Sequence, residues 1–457
     1  MSLSRRGLLM LGTAALAVPA HAANLAFEAE ALAWLRRAAH PFGDENPSAA
    51  ELEPLVRALD GPQVIGVGEA THGTYEDFAF KAALIKALIA RGEVRVLALE
   101  CNYQPGLMFD RYVREGAADP MDLMRTSGFF QNWHSEEFGN LLTWIRAWNA
   151  GGGNPVRIIG VDCQASAADT QFALAWLSAH DPAGAEEMRP QLAPLLGPEA
   201  RDMRLYEFIQ TLDRERWQDL RKAVIVLGAK VGVADMRANG GTGLYSDARH
   251  AAVTALQGLW VYESDVPGAP PPQFEAEYSA RRDNFMAENL IRLADGGRTA
   301  LWAHNAHVLP LAAPDGLNGA MGHYLRRRLQ ANYRSVAFEY DRGLIHAKTM
   351  GPDDPPPART APWTVNAIPS RPDGLGALLA KSGMERFWID VRRIPDTPGL
   401  AAWKAHPYRH DWPGFVLMIE NGVTLSDDDV AALDLVDILV FFRTVTPSRL
   451  YRWVPRA

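Results

Sequence analysis

The feature that most constrains this chain is a set of short, β-branched apolar runs set between long helical stretches. The runs are Gln63–Val67, Val94–Leu99, Val156–Val161, Thr299–Ala303, Arg334–Phe338, Phe387–Val391 and Ile438–Phe442. Most lack the apolar–polar alternation of a strand with one wet face. Runs of this kind, separated by helices, belong to strands covered on both sides. The pattern predicts an α/β fold, with a mainly parallel central sheet flanked by helices. In such sheets, ligands bind beyond the carboxyl ends of the strands.

The spacing of the runs is uneven. From about Ala165 to Leu293 there is no strand-like run. Arg204–Ile209, Trp217–Val226, Asp247–Tyr262 and Ala280–Leu293 instead carry apolar residues three and four apart, as amphipathic helices do. This predicts a large helical insertion, about residues 165–295, between the third and fourth strands. The Gly-rich Asn239–Gly243 and the Pro-rich Val266–Pro272 read as loops within it. A second Pro-rich loop, Gly351–Pro357, is expected to separate the first part of the sheet from a C-terminal part. No repeat of fixed period is present.

The first 22 residues combine Arg5 and Arg6, a short apolar stretch and Ala20-His21-Ala22. These are the parts of an export signal: a charged start, an apolar centre and an A-x-A cleavage site. The arginine pair resembles a twin-arginine signal, with an ordinary secretory signal as the alternative. The apolar run from Gly7 to Pro19 is too short to span a bilayer, which takes ~20 residues. The mature chain is then one α/β domain, residues 23–457, expected in the periplasm with no membrane span. Its net charge is −8 before cleavage, and removing the two arginines makes it more negative. A chain so acidic lacks the Lys and Arg surplus of a dedicated nucleic-acid binder. Two cysteines, Cys101 and Cys163, are too few for a disulfide scaffold or a structural zinc site.

Ionisable residues stand at the strand ends. The first strand runs into Gly66-Val67-Gly68-Glu69-Ala70-Thr71-His72-Gly73-Thr74, and the second ends at Glu100. The third ends at Asp162, and the fourth leads into Ala303-His304-Asn305-Ala306-His307. Four strand ends thus deliver three carboxylates and three histidines to one edge. Familiar motifs do not account for them. The Gly66-x-Gly68 spacing would need a third glycine where Thr71 stands, and Glu69 would face a pyrophosphate, which argues against a dinucleotide site. There is no G-x-S-x-G elbow, Walker loop or H-E-x-x-H helix.

Ester hydrolysis without a serine needs a base that titrates near neutrality, and histidine starts there. His72 fits that part, with Glu69 or Glu100, expected at the ends of adjacent strands, orienting its ring. His304, His307 or Arg282 would donate to the developing oxyanion. Arg282, Asp162 and Lys81 are candidate substrate contacts, the last placed nine residues after His72 on the next helix. Each has a plainer reading: Asp162 as a helix cap, Arg282 as a carboxylate's partner, Lys81 as a solvated lysine. The aromatic segment Phe129-Phe130-Gln131-Asn132-Trp133-His134 would line a cleft.

Gly68-Glu69-Ala70-Thr71-His72-Gly73-Thr74 with Phe78 resembles the signature of the erythromycin esterase family. The resemblance continues through Glu100, Trp144-Ile145-Arg146-Ala147-Trp148-Asn149, Gly160-x-Asp162, Arg282-Asp283-x-x-Met286-Ala287-x-Asn289 and Trp302–His307. It also takes in Tyr324-Leu325 and Asp437–Arg443, and departs at Glu76-Asp77-Phe78, where many members have Glu-Phe. The resemblance implies a metal-independent hydrolase, without cofactor, that opens a macrolide lactone by water attack and so confers antibiotic resistance. It implies His72 as general base, with Glu69, Glu100, His304 and His307 at the other acidic and histidine positions of the pocket. The expected partner is a small ester or lactone. Two alternatives use the same cluster: a metal-dependent hydrolase, and a periplasmic protein that binds haem or a metal without turnover.

Overall fold

The computed structural model describes residues 27–451 except 117, 198–199, 201–203, 240–245, 271–276, 314, 352–353, 355–360, 421–422 and 425–428. The expected export signal and most of the Gly-rich loop lie outside the described residues. The strands are β1 (His40–Pro41), β2 (Val64–Val67), β3 (Val96–Asn102), β4 (Arg157–Asp162), β5 (Thr299–Trp302), β6 (Tyr333–Met350), β7 (Thr364–Ile368), β8 (Arg386–Asp390), β9 (Tyr408–Arg409), β10 (Val416–Glu420), β11 (Val423–Thr424), β12 (Asp429–Val430) and β13 (Ile438–Val445). All but β9 and β12 join one sheet, ordered β1-β8-β13-β6-β2-β5-β3-β4, with β7 and β10 on the far reach of β6 and β11 beyond β10. From β13 to β4 every neighbouring pair is parallel, while β1, β8 and β7 pair antiparallel.

Alternation along the strands splits the core in two. Ile65, Val67, Leu97 and Leu99 face one layer, against Phe78, Leu84 and Ile85 of the helix Tyr75–Ala90 and Phe138 of Glu136–Ala150. Val64, Val96, Ala98 and Val161 face the other, against Met286 and Leu290 of Glu277–Ala294 and Leu325 of Met321–Leu329. Side chains two apart share a face, so strands buried on both sides must be apolar throughout. That is why the seven runs stood out in the sequence.

The helical insertion builds a separate core. Helices Ser166–His180, Pro182–Leu196, Arg214–Asn239 and Asp247–Val261 bury Leu174, Leu192, Trp217, Leu227 and Leu259 among themselves. The last inserted helix, Glu277–Ala294, returns to the sheet and leads into β5. No helix of the described residues is long and apolar enough to cross a membrane.

Three expectations change. Consecutive strands usually neighbour one another, but β5 enters between β2 and β3, so the strands that end at Glu69 and Glu100 are not adjacent. The Pro-rich Gly351–Pro357 does not divide the sheet: its flanks β6 and β7 pair antiparallel, from Gly343↔Ile368 to Ala347↔Thr364. The run at Arg334–Phe338 is only the buried start of β6, whose outer half mixes exposed residues with Ile345 and Ala347, which still pack in the core. The alternation missing from the buried half gives no hint of that extension.

Candidate active site

β2 ends where Gly68 N–H donates to Val336 O of β6 at 2.8 Å. The chain then turns through Glu69–Thr74 into the helix Tyr75–Ala90. Asn305, just past β5, fills the gap between the diverging strands. Its side chain exchanges hydrogen bonds with Phe338 N (3.1 Å) and O (2.7 Å), and its backbone N–H reaches Glu69 O at 2.8 Å. A Cβ on Gly68 would strike the Asn305 amide oxygen, and one on Gly73 would strike His346 O. The glycines of this turn are required by close approach.

The turn holds a buried carboxylate with every oxygen engaged. Glu69 Oε1 accepts from His72 Nδ1 and from Trp133 Nε1 (2.8 Å), and Oε2 accepts from Lys81 Nζ (2.5 Å). Lys81 is fully buried and also donates to Ala303 O at 3.1 Å, with the Trp302 ring 4.3 Å away. Burial lowers the Lys81 pKa, against the opposing pull of Glu69. The structure therefore puts Lys81 behind Glu69, not in solvent. Asp77, one helical turn before Lys81, accepts from Ala70 N–H at 2.8 Å. Desolvation pushes its carboxyl up to about 7.

With Nδ1 committed to Glu69, the His72 ring presents Nε2. Its edge stands against Trp133 at 5.1 Å between ring centres, and His304 lies 4.9 Å away. An added Cβ on Gly414 would sit 4.0 Å from Nε2, so the absence of a side chain there leaves that nitrogen clear.

The second cluster lies beyond His304. Arg282 donates to Asp162 through Nε (3.0 Å) and Nη2 (2.8 Å), and to Glu100 at 3.2 Å. His307 sets Nδ1 2.6 Å from Asp283 and Nε2 3.1 Å from Glu100. Burial alone would lower the His307 pKa, but Asp283 and Glu100 outweigh it and hold the imidazolium up to about 10. Arg282 Nη1 also lies 3.3 Å from His307 Nε2. Both atoms carry hydrogens in that state, so this contact is proximity and not a hydrogen bond. Burial would raise the Glu100 pKa, yet His307 and Arg282 bring it well below the carboxylate range. His304 is locked: Nε2 donates to Ala70 O (3.2 Å), Nδ1 accepts from Ala306 N–H (3.2 Å), and burial drives its pKa well down.

All eight candidate residues come together at this edge, but in two groups. Glu69, His72 and Lys81 form one; Glu100, Asp162, Arg282 and His307 form the other; His304 stands between them. Glu100 makes no hydrogen bond to His72; it accepts from His304 N–H at 3.0 Å instead. The ring of His72 is oriented by Glu69 alone. Asp162 does not cap the next helix, whose N-cap is Ala165. Three contributors were not singled out as site residues from the sequence: Trp133, Asp283 and Asn305. Trp133 had a faint signal in its aromatic segment, and Asp283 in its place beside Arg282. Among the described residues, no three His, Cys, Asp or Glu side chains converge as a metal ion would need.

A parallel α/β sheet that carries a carboxylate-oriented histidine at its carboxyl edge has the parts of an acid–base enzyme. The comparisons narrow this further. The erythromycin esterase family matches residues 89–445, and the chain belongs to that family. It is 23% identical over 434 residues to the putative hydrolase YbfO of Bacillus subtilis, covering 91% of both chains. It is also 23% identical to the erythromycin esterase type I of Escherichia coli, over 75% of this chain and 83% of that one. A crystal structure of a Bacillus cereus protein shares the fold with a TM-score of 0.77 at 21% identity, covering 93% of this chain and 99% of that one. Family membership and the hydrolase relatives support hydrolase activity. The matched range starts after His72, so the roles in the Glu69–His72 turn rest on its geometry.

Proposed function

We propose that this chain is an exported hydrolase of carboxylic esters or lactones, working by water attack with His72 as general base. One observation carries this reading: Nδ1 of His72 is tied to a fully engaged buried carboxylate, and Nε2 is left to take a proton. Water bound at Nε2 gives its proton to His72 as it attacks the carbonyl, and Glu69 stabilises the imidazolium; the tetrahedral intermediate then collapses with cleavage of the ester C–O bond, and the alcohol leaves with that proton. Lys81 and Trp133 hold Glu69 in place. The donor for the oxyanion is Arg282, whose Nη1 meets no hydrogen-bond acceptor among the described residues. His304 and His307 have both ring nitrogens committed, so they position their neighbours. Asp162 and Glu100 hold Arg282, which leaves Arg282 as the substrate contact among the three residues first considered for that part. The macrolide lactone of the Escherichia coli relative is one member of the substrate class. A periplasmic enzyme would meet such an antibiotic before it enters the cytoplasm, which fits a resistance role. The Arg5-Arg6 segment supports export by the twin-arginine route.

The test is a screen of the purified chain, lacking residues 1–22, against carboxylic esters and lactones, including a macrolide. Hydrolysis that His72→Ala abolishes, with the fold kept, is the expected result. Hydrolysis that persists in His72→Ala would overturn the mechanism.

A further inference from the structure

The segment that follows β13 reaches back to both turns that meet at Glu69. On one side, Thr446 O accepts from Tyr75 N–H, and Ser448 N–H donates to Gly73 O, each at 2.9 Å. Thr446 also gives its N–H and its hydroxyl to the two oxygens of Glu76, both at 2.7 Å. On the other side, Glu136 N–H donates to Arg449 O and Tyr451 N–H to His134 O, each at 3.0 Å. Thr74↔Pro447 and Ser135↔Leu450 are antiparallel bridges, so one short stretch pairs with both turns. His346 of β6 fixes the middle, its Nδ1 2.8 Å from Ser448 O, and Arg449 lies 4.0 Å over the Tyr75 ring. Thr74, Ser135 and Ser448 are all buried.

These two turns need a common ruler. Glu69 Oε1 accepts from a ring on the first and an indole on the second, residues 64 positions apart for Trp133 and Glu69. The first turn is tied to β6 by His346 N–H donating to Gly73 O at 3.0 Å, and the 446–451 stretch is bonded to both turns within six residues. We infer that Thr446–Tyr451 is a positioning element of the active site: it clasps the His72 turn to the Trp133 turn and thereby sets how both donors meet Glu69. The clasp has no contact with substrate, and the inference rests on the reading of His72 as base.

The test uses the full chain with three changes: Thr446→Val, which deletes the hydroxyl bond to Glu76; Thr446→Ser, which keeps it; and truncation after Val445. Two readouts are taken. One is the ring N–H proton of His72 in the nuclear magnetic resonance spectrum, assigned by its loss in His72→Ala. The other is kcat and KM on an ester found in the screen. Truncation is expected to broaden or abolish the His72 resonance. It should lower kcat by about 10–100-fold with KM nearly unchanged, because misplacing a reacting group by about 1 Å costs a factor of that order. Thr446→Val should show the same changes in milder form, and Thr446→Ser should restore both. If truncation prevents folding, Thr446→Val decides. An unaltered resonance and unaltered kcat in Thr446→Val, or in a folded truncated chain, would overturn the clasp. If no ester is cleaved by the unaltered chain, the reading of His72 as base fails separately, and the resonance alone decides whether the clasp holds the turn.

Discussion

His72 and His307 are two histidines at one sheet edge, each beside a buried carboxylate, and their surroundings give them opposite chemistry. His72 has one carboxylate, and that carboxylate is already matched by Lys81 and Trp133. His307 stands between two carboxylates, Glu100 and Asp283, and is held as an imidazolium to about pH 10. A ring with one partner keeps a nitrogen for water. A ring with two becomes a fixed cation, unable to act as a base near neutrality. On the proposed mechanism, the number of acceptors around the ring, and not the histidine itself, decides which one serves as the base.

The largest expected effect tests the working half. His72→Ala should lower kcat by about 10³-fold, within the usual range for general-base catalysis, with an unchanged circular dichroism spectrum. His307→Gln should instead act mainly on stability. A denaturation curve dominated by His72→Ala, with kcat dominated by His307→Gln, would invert the comparison.

The second tests the cation cage. Glu100→Gln leaves Arg282 and His307 short of a carboxylate and should cost about 3–5 kcal/mol of unfolding free energy, the range for breaking a buried pair. The pH dependence has a definite sign. The His307 pKa is raised on folding, so its contribution is full below the ordinary histidine value and lost as pH rises through about 10. In Glu100→Gln the loss should be complete at a lower pH, as followed by urea unfolding between pH 6 and 10.

A smaller effect is expected at Asp77. Its carboxyl is pushed up to about 7 by burial, so folding favours the protonated form. That contribution is full at acid pH and is lost as pH rises through about 7, where the buried charge becomes a penalty. Asp77→Asn keeps an acceptor for Ala70 N–H and removes the charge. It should gain stability over the parent chain as pH rises from 4 to 8, by up to about 4 kcal/mol, with little difference at pH 4. A gap that narrows with pH would be the wrong sign.

The smallest expected effect is none: chelation should leave ester hydrolysis unchanged. Activity removed by chelator and restored by zinc or manganese would show that the two histidine environments are arranged around an ion instead of around protons.

Much of the fold was legible because its central strands are buried on both faces. All seven apolar runs became strands of the large sheet, and the block without runs became the helical insertion. Several outlying strands were not legible. β1, β11 and β12 are two residues long and β7 is mostly exposed, so they carry little apolar signal, while the apolar run of β10, Val416–Glu420, was missed. The site was legible as a list of residues at strand ends, since polar groups there have few roles in a buried sheet. Its pairings were not. Lys81 reads as a surface lysine until its helix packs against Trp302, and Trp133 reads as cleft lining until its indole meets Glu69.

The sequence by itself determined which residues reach the carboxyl edge, because strand periodicity and strand ends are local properties of the chain. It also determined the family, through motifs spread over most of its length. Tertiary structure decided who partners whom. Inserting β5 between β2 and β3 moved Glu100 away from His72 and toward Arg282 and His307. Strand order is set by packing between segments far apart in the chain, and no local pattern encodes it. The separation of the proposed base, His72, from the His307–Arg282 cluster follows from that order.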